Sequence, residues 1–254
     1  MAASSVSVTW VQPNDPLPAA SSALREPAHW RGLVAAGQDL SVARLVEAYG
    51  QGIFPWYSQG QPVLWWSPDP RMVLPVHDFR LHDSLRKTLR RFRRTSDCEI
   101  RIDSAFSRVI RHCAERPRPG QSGTWIVPEM VETYEALHHA GFAHSVETWI
   151  DQQLVGGIYV VSIGQALFGE SMFALQRDAS KIALAALVSF ARQHGMAWID
   201  CQQNTRHLAS LGAREMPRSE FVNWVARDVA KPPPTWKFES IYWDAIDDRA
   251  SLSR

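Results

Sequence analysis

Cysteine is scarce in this chain. Cys98, Cys113 and Cys201 are the only three among 254 residues, an odd number with no CxxC pair. That argues against a disulfide framework and fits a reducing cytosol. The nine histidines show neither HExxH nor Cys/His ligand spacing, so no metal site is expected. The adjacent pair His138 and His139 reads as helix surface. No apolar run is long enough to span a bilayer, and the N-terminus lacks a basic start followed by an apolar core. The expectation is a cytoplasmic protein with no membrane partner. Charge of one sign is lacking as well. A net charge of +1 hides any local polarity, so its distribution must be read instead. A hydrophobic fraction of 45% and a charged fraction of 21% are ordinary for a globular chain, and 254 residues hold one large domain or two small ones. No internal repeat is visible.

What the chain does have is tryptophan, eleven of them, several in loop-like sequence. Residues 52–71, GIFPWYSQGQPVLWWSPDPR, combine four prolines with Trp56, Tyr57, Trp65 and Trp66. Proline and glycine break regular structure there, so the segment reads as a structured loop with short extended pieces. It is either an aromatic packing corner or a platform for a planar ligand. Segment 41–50 is a short helix that Ser41 can cap, with Val42, Leu45, Val46 and Tyr49 at helical spacing. In segment 80–94, Leu81, Leu85, Leu89 and Phe92 fall on one helical stripe. Arg86, Lys87, Arg90, Arg91, Arg93 and Arg94 crowd the other side, with only Asp83 to oppose them. Such one-signed crowding costs repulsion unless an anion is present, and points to a phosphate backbone. Further helices are expected at 103–115, 128–140, 179–194, 206–212 and from Ser219 to 230. Strands are expected at 143–150, 153–163, 165–173 and 197–202. Residues 1–28 read as irregular, and the tail from Lys231, with three consecutive prolines, as extended.

Two of these strands end in polar residues: Glu170 on one, Asp200 and Gln202 on the next. Strand alternation puts Asp200 and Gln202 on one face and Cys201 on the other. Polar groups converging inside an apolar scaffold mark a candidate site. Cys201 reads as a small core residue, because no histidine is placed to activate it.

Ordered blocks run from about residue 22 to 225: GIFPW (52–56), WWSPDPR (65–71), GTWI (123–126), AHSVE (143–147), LVGG (154–157), GESMF (169–173), ASK (179–181), IDCQ (199–202) and HLASLGA (207–213). Together they resemble the leucyl/phenylalanyl-tRNA–protein transferases. Two departures stand out: Gln38 where the family pattern has glycine, and Ala174 where it has serine. The resemblance implies an α+β chain, with a small N-terminal domain (1–75), a GNAT-type acyltransferase domain with a mixed, largely antiparallel sheet (76–230), and a C-terminal tail (231–254). It implies transfer of Leu or Phe from aminoacyl-tRNA to the α-amine of proteins beginning with Arg or Lys, which marks them for N-degron degradation; an apolar pocket would admit Met as well, since one methylene is worth only about 1–3 kcal/mol.

An aminoacyl ester is already activated, so positioning and charge stabilisation should supply most of the rate. Gln202 cannot titrate; it can hold the amine or the ester by hydrogen bonds. Asp200 can orient Gln202 or attract the ammonium group. Glu170 can bind the amino group of the aminoacyl ester or help choose a basic acceptor N-terminus, with Phe168, Met172 and Phe173 as an apolar pocket. Trp56 and Trp125 are candidates for stacking on the terminal adenine, and the helix bearing Arg86, Lys87, Arg90, Arg91 and Arg94 for the tRNA backbone. No cofactor is expected. An acyl-CoA N-acyltransferase is the enzymatic alternative, although QRDAS after GESMF lacks a glycine-rich pyrophosphate turn. A non-catalytic tRNA-binding module is the other.

Overall fold

The computed structural model describes residues 7–115 and 126–247. Its first part builds a four-stranded sheet from β1 (Trp10–Val11), β2 (Leu33–Gly37), β3 (Phe54–Pro55) and β4 (Val63–Trp66), in the order β1-β2-β4-β3. Helix α1 (Val42–Gly50) lies between β2 and β3 in sequence. Its first turn is capped as the sequence suggests, Ser41 Oγ accepting from Arg44 N at 3.3 Å, an interaction worth about 1 kcal/mol. Gln38 sits exposed at the bend after β2, outside the left-handed backbone that would demand glycine.

The chain then enters a seven-stranded sheet through β5 (Arg71–Pro75), which falls before the expected boundary at 75. Next come α2 (Asp83–Arg94), β6 (Cys98–Ile102), α3 (Phe106–Glu115), α4 (Pro128–His139), β7 (Ala143–Ile150), β8 (Gln153–Ile163) and β9 (Ala166–Ala174). Helix α5 (Ala179–Gln193), β10 (Trp198–Gln202), α6 (Arg206–Ser210), β11 (Arg214–Met216) and α7 (Arg218–Asp228) complete it. The strand order is β11-β5-β10-β9-β8-β7-β6. Every neighbouring pair is antiparallel except β9 and β10, which run parallel. The expected α+β class and mixed, largely antiparallel sheet are therefore present.

One face of this sheet packs on α1, α3, α4 and α7, with Tyr134, Tyr159, Phe168 and Phe221 fully buried. The other packs on α5 and α2, where Leu85, Leu89 and Phe92 are buried as the stripe predicts. Helix α5 comes close to the strands: a Cβ on Gly156 would lie 2.5 Å from that of Ala179. The tail corrects the reading of an extended segment. Ser240–Trp243 is a 3-10 turn leading into α8 (Asp244–Asp247), and both pack on α5. Trp236 stacks on His144 at 4.0 Å and on Phe190 at 4.6 Å. The prolines at 232–234 suggest open chain, but the aromatic residues beyond them have an apolar face to cover.

Candidate active site

The site lies where the parallel strands part. Strands β9 and β10 pair only at Leu167–Ile199 and Phe168–Asp200. Each then carries an irregularity. Across β8, Val160 faces Gly169 and Tyr159 faces Ser171, so Glu170 is an extra, bulged residue. On β10 the register against β5 shifts between Asp200 and Gln202, and Gln202 adopts the left-handed backbone at φ 56°. Bulges re-aim side chains, and here the two parallel strands part beyond their last paired residues, Phe168 and Asp200. The amide of Gln202 bridges the strands, Nε2 donating to Gly169 O at 2.9 Å and lying 3.5 Å from Glu170 Oε1.

This geometry corrects the expectation for Asp200. Cys201 packs with the α5 side of the sheet while Gln202 reaches toward Glu170 under Tyr49, but Asp200 is not available to a substrate. Asp200 is fully buried and held by Arg71 of β5: Nε donates to Oδ1 at 2.8 Å and Nη2 to Oδ2 at 2.7 Å. Oδ1 also accepts from the backbone N of Gln202 at 3.0 Å. Asp200 thus shapes the bulge through the Gln202 main chain and offers no free oxygen to an ammonium group. Arg71 is itself clamped, its guanidinium 4.7 Å from the Phe54 ring centre and 4.4 Å from that of Phe221. Nη1 donates to Gly52 O at 3.3 Å. Gly52 stands at φ 74°, and a Cβ there would come within 2.8 Å of Phe221. Cys201 is packed among apolar residues, and burial pushes its thiol up, in keeping with a core role.

Glu170 is partly buried under two tyrosines from the opposing helices. Tyr49 of α1 donates to Glu170 Oε1 at 2.7 Å, and the hydroxyls of Tyr49 and Tyr134 of α4 lie 2.5 Å apart. Burial pushes the Glu170 carboxyl up to about 8; the Tyr49 hydrogen bond opposes this, the Asp200 charge adds to it and Arg71 opposes it. Both phenols are raised well above their usual range, first by burial and then by the Glu170 charge. Neither tyrosine hydroxyl stands out in the sequence. Tyr49 reads as one more member of an apolar stripe, and only its phenol oxygen on a buried position hints otherwise. Arg71 is hidden within WWSPDPR.

The apolar candidates divide. Phe168 is fully buried beside the site, its ring 5.1 Å from that of Tyr49. Phe173 lies on the same sheet face but farther along, packed against His112 at 4.7 Å. Met172 points into the opposite core with α5, because the bulge at Glu170 inverts the alternation. Trp56 is exposed, edge-on to Trp66 at 6.0 Å. Its neighbour Tyr57 reaches Glu129 of α4 at 3.4 Å, which ties the loop to that helix. Trp125 lies outside the described residues. Lys87, Arg90, Arg91, Arg93 and Arg94 are exposed on α2, with Arg86 half-buried. The AHSVE block is architectural: buried Glu147 accepts from Ala105 N at 2.7 Å, Ser145 Oγ at 2.8 Å and Trp149 Nε1 at 2.8 Å, as well as from Ser104 Oγ, and so anchors the start of α3. His138 is less superficial than expected, stacked on Phe106 at 4.3 Å. Among the described residues, no His, Cys, Asp and Glu group has the makings of a metal site, and no helix is long and apolar enough to cross a membrane.

Residues 73–226 match the family model described as leucyl/phenylalanyl-tRNA protein transferase, and residues 38–69 match that of its N-terminal domain. Curated relatives named leucyl/phenylalanyl-tRNA–protein transferase include one from a Polaromonas species, 62% identical over 85% of this chain and 84% of its own. Another, from Albidiferax ferrireducens, is 55% identical over 96% of both chains. A third, from Methylibium petroleiphilum, is 58% identical over 94% of this chain and 91% of its own. Among solved structures, L-PGS from Bacillus licheniformis overlaps 64% of this chain and 65% of its own, at a TM-score of 0.41 and 9% identity. That overlap is too loose to carry an argument.

Proposed function

We infer what this site does from one premise: the chain belongs to the leucyl/phenylalanyl-tRNA–protein transferase family. It is an aminoacyltransferase. The finer reading is that it moves Leu or Phe, and also Met, from the 3′ end of an aminoacyl-tRNA to the α-amine of proteins beginning with Arg or Lys, creating a degradation signal. The observation that carries this is the pairing of Glu170 with Gln202 across the gap between β9 and β10, beside the apolar wall of Phe168.

The reaction is aminolysis of an ester, and it needs an amine held against a carbonyl more than it needs a strong base. Gln202 has its Nε2 committed to Gly169, which orients the amide and leaves Oε1 to accept from an amine. Glu170 supplies negative charge or a hydrogen-bond acceptor for the same group. An apolar surround such as Phe168 beside the site would accept Leu, Phe and Met alike, since one methylene is worth only about 1–3 kcal/mol of discrimination. Trp56 at the exposed rim suits stacking by the terminal base, and the basic face of α2 suits the acceptor-stem phosphates, read for charge rather than sequence.

The acyl-CoA alternative has weaker support. The N-cap of α5 is Asp178, itself in a left-handed backbone, and a carboxylate there opposes a pyrophosphate. The test supplies labelled Leu-tRNA, or an acyl-CoA, with a peptide beginning with Arg. Transfer from the tRNA alone is expected. Failure to transfer while the tRNA stays charged would overturn the reading.

A further inference from the structure

We propose that Glu170 is the proton acceptor for the incoming α-ammonium group, and that Tyr49 and Tyr134 are positioning residues that hold it in that role. The proposal rests on the reaction inferred above and adds the group that takes the proton.

The neighbouring groups leave Glu170 as the acceptor. Asp200 has both oxygens on Arg71. Gln202 does not titrate. Cys201 is a core thiol that burial keeps protonated. Among the described residues, no histidine is hydrogen-bonded to Glu170, Gln202 or Tyr49. Glu170 uses Oε1 for Tyr49 and Gln202, which leaves Oε2 for the substrate.

The tyrosine pair gives the interaction a direction. Glu170 in its anionic form can only accept, so Tyr49 donates to it, and the Tyr134 hydroxyl at 2.5 Å must then donate to the Tyr49 oxygen. Two neutral phenols, from helices far apart in the sequence, thus form an ordered donor chain ending on one carboxylate oxygen. The other charged groups near it are Arg71 and Asp200, which offset each other, with the Tyr57–Glu129 pair next to Tyr134. The carboxyl, raised to about 8, is matched to an α-amine that titrates at about 7.7–8.0, and proton exchange between matched groups is close to thermoneutral.

The step balances. Glu170 carboxylate takes one proton from the α-ammonium, and the neutral amine forms a C–N bond to the ester carbonyl. As the adduct collapses, the C–O bond to the tRNA 3′ oxygen breaks, and that oxygen leaves with the second proton lost by nitrogen. Glu170 returns its proton to solvent.

The test measures kcat/KM for Leu transfer against pH for wild type, Tyr49→Phe, Tyr134→Phe and Glu170→Gln, with one acceptor peptide throughout. The peptide's own titration is then common to all curves. Removing the Tyr49 donor destabilises the anion and should move the acid limb upward by about one to two pH units, a loss of roughly ten- to a hundredfold at fixed pH on that limb that is recovered at higher pH. Tyr134→Phe should shift it the same way but less, and stands in if Tyr49→Phe unfolds. Glu170→Gln should leave only the peptide's titration, on a lower plateau. A uniform drop in rate with the limb unmoved in both tyrosine variants would make them merely structural and overturn the proposal. A wild type that transfers nothing at any pH would instead overturn the reaction on which it rests.

Discussion

Replacing Asp200 by Asn separates scaffold from chemistry. Both side chains of the Arg71–Asp200 pair are fully buried, and the pair makes two hydrogen bonds of 2.7 and 2.8 Å. Asn keeps the shape but turns one acceptor into an NH2 group that faces the guanidinium, leaving a buried cation uncompensated. Breaking such a pair costs about 3–5 kcal/mol. In a chain of this size 1 kcal/mol moves the melting point by about 2–4 °C, so Asp200→Asn should lower Tm by roughly 6–20 °C. Activity should fall with it, because Oδ1 also fixes the Gln202 main chain at the bulge. Circular dichroism melts and urea unfolding, run beside the Leu-transfer assay, give both readouts. The double variant Arg71→Met with Asp200→Leu supplies a control, since an apolar pair of similar volume is often no less stable than a buried ion pair. It should regain much of the lost Tm. An Asp200→Asn protein that melts within about 2 °C of wild type and yet loses transfer a hundredfold or more would refute this reasoning. Asp200 would then act on the substrate.

Two further outcomes follow from the charged groups. Arg90→Glu with Arg94→Glu should weaken tRNA binding and reduce the salt slope by about two, one for each cation withdrawn from the phosphate backbone; an unchanged slope in a filter-binding titration places the RNA elsewhere. Glu170 carries a folded-state pKa of about 8 against an ordinary value of 4.5. The folded state therefore holds a proton that the unfolded chain has released between those pH values, and the stability this brings is lost as pH rises toward 8. Glu170→Gln should accordingly gain Tm over wild type progressively from pH 5 to pH 8.5, and a difference that stays flat with pH would contradict the assignment.

Local chemistry makes much of the fold legible. Ser41 before an apolar stripe marks the start of α1, and Leu85, Leu89 and Phe92 mark the buried face of α2. Asp151 and Gln152 announce the turn between β7 and β8, and both adopt the positive φ such a turn uses. Strand β6 is not legible in this way. It is an edge strand on which Glu99 and Arg101 alternate with Ile100 and Ile102, a period too short to stand out beside a helix. The identity of Glu170, Asp200 and Gln202 as the polar convergence is legible too, because they are polar residues set in two otherwise largely apolar strands.

Their geometry is not legible, for a reason that lies in the long-range interactions. Alternation assumes a regular strand, whereas both strands break it at the positions that matter. The bulge at Gln202 is set by a carboxylate held by Arg71, 129 residues earlier in the chain, and that guanidinium is seated between rings from β3 and α7. The bulge at Glu170 sends Met172 to the far side of the sheet while keeping Phe168 and Phe173 on the near side. Each bulge gives up ladder hydrogen bonds, and the one from Gln202 Nε2 to Gly169 O offsets part of that deficit. Two parallel strands that paired to their ends would leave no gap for a substrate. Splaying them after a single pair of registers makes the gap and brings residues 170 and 202 to its two sides, and it is only there that an amine can touch both.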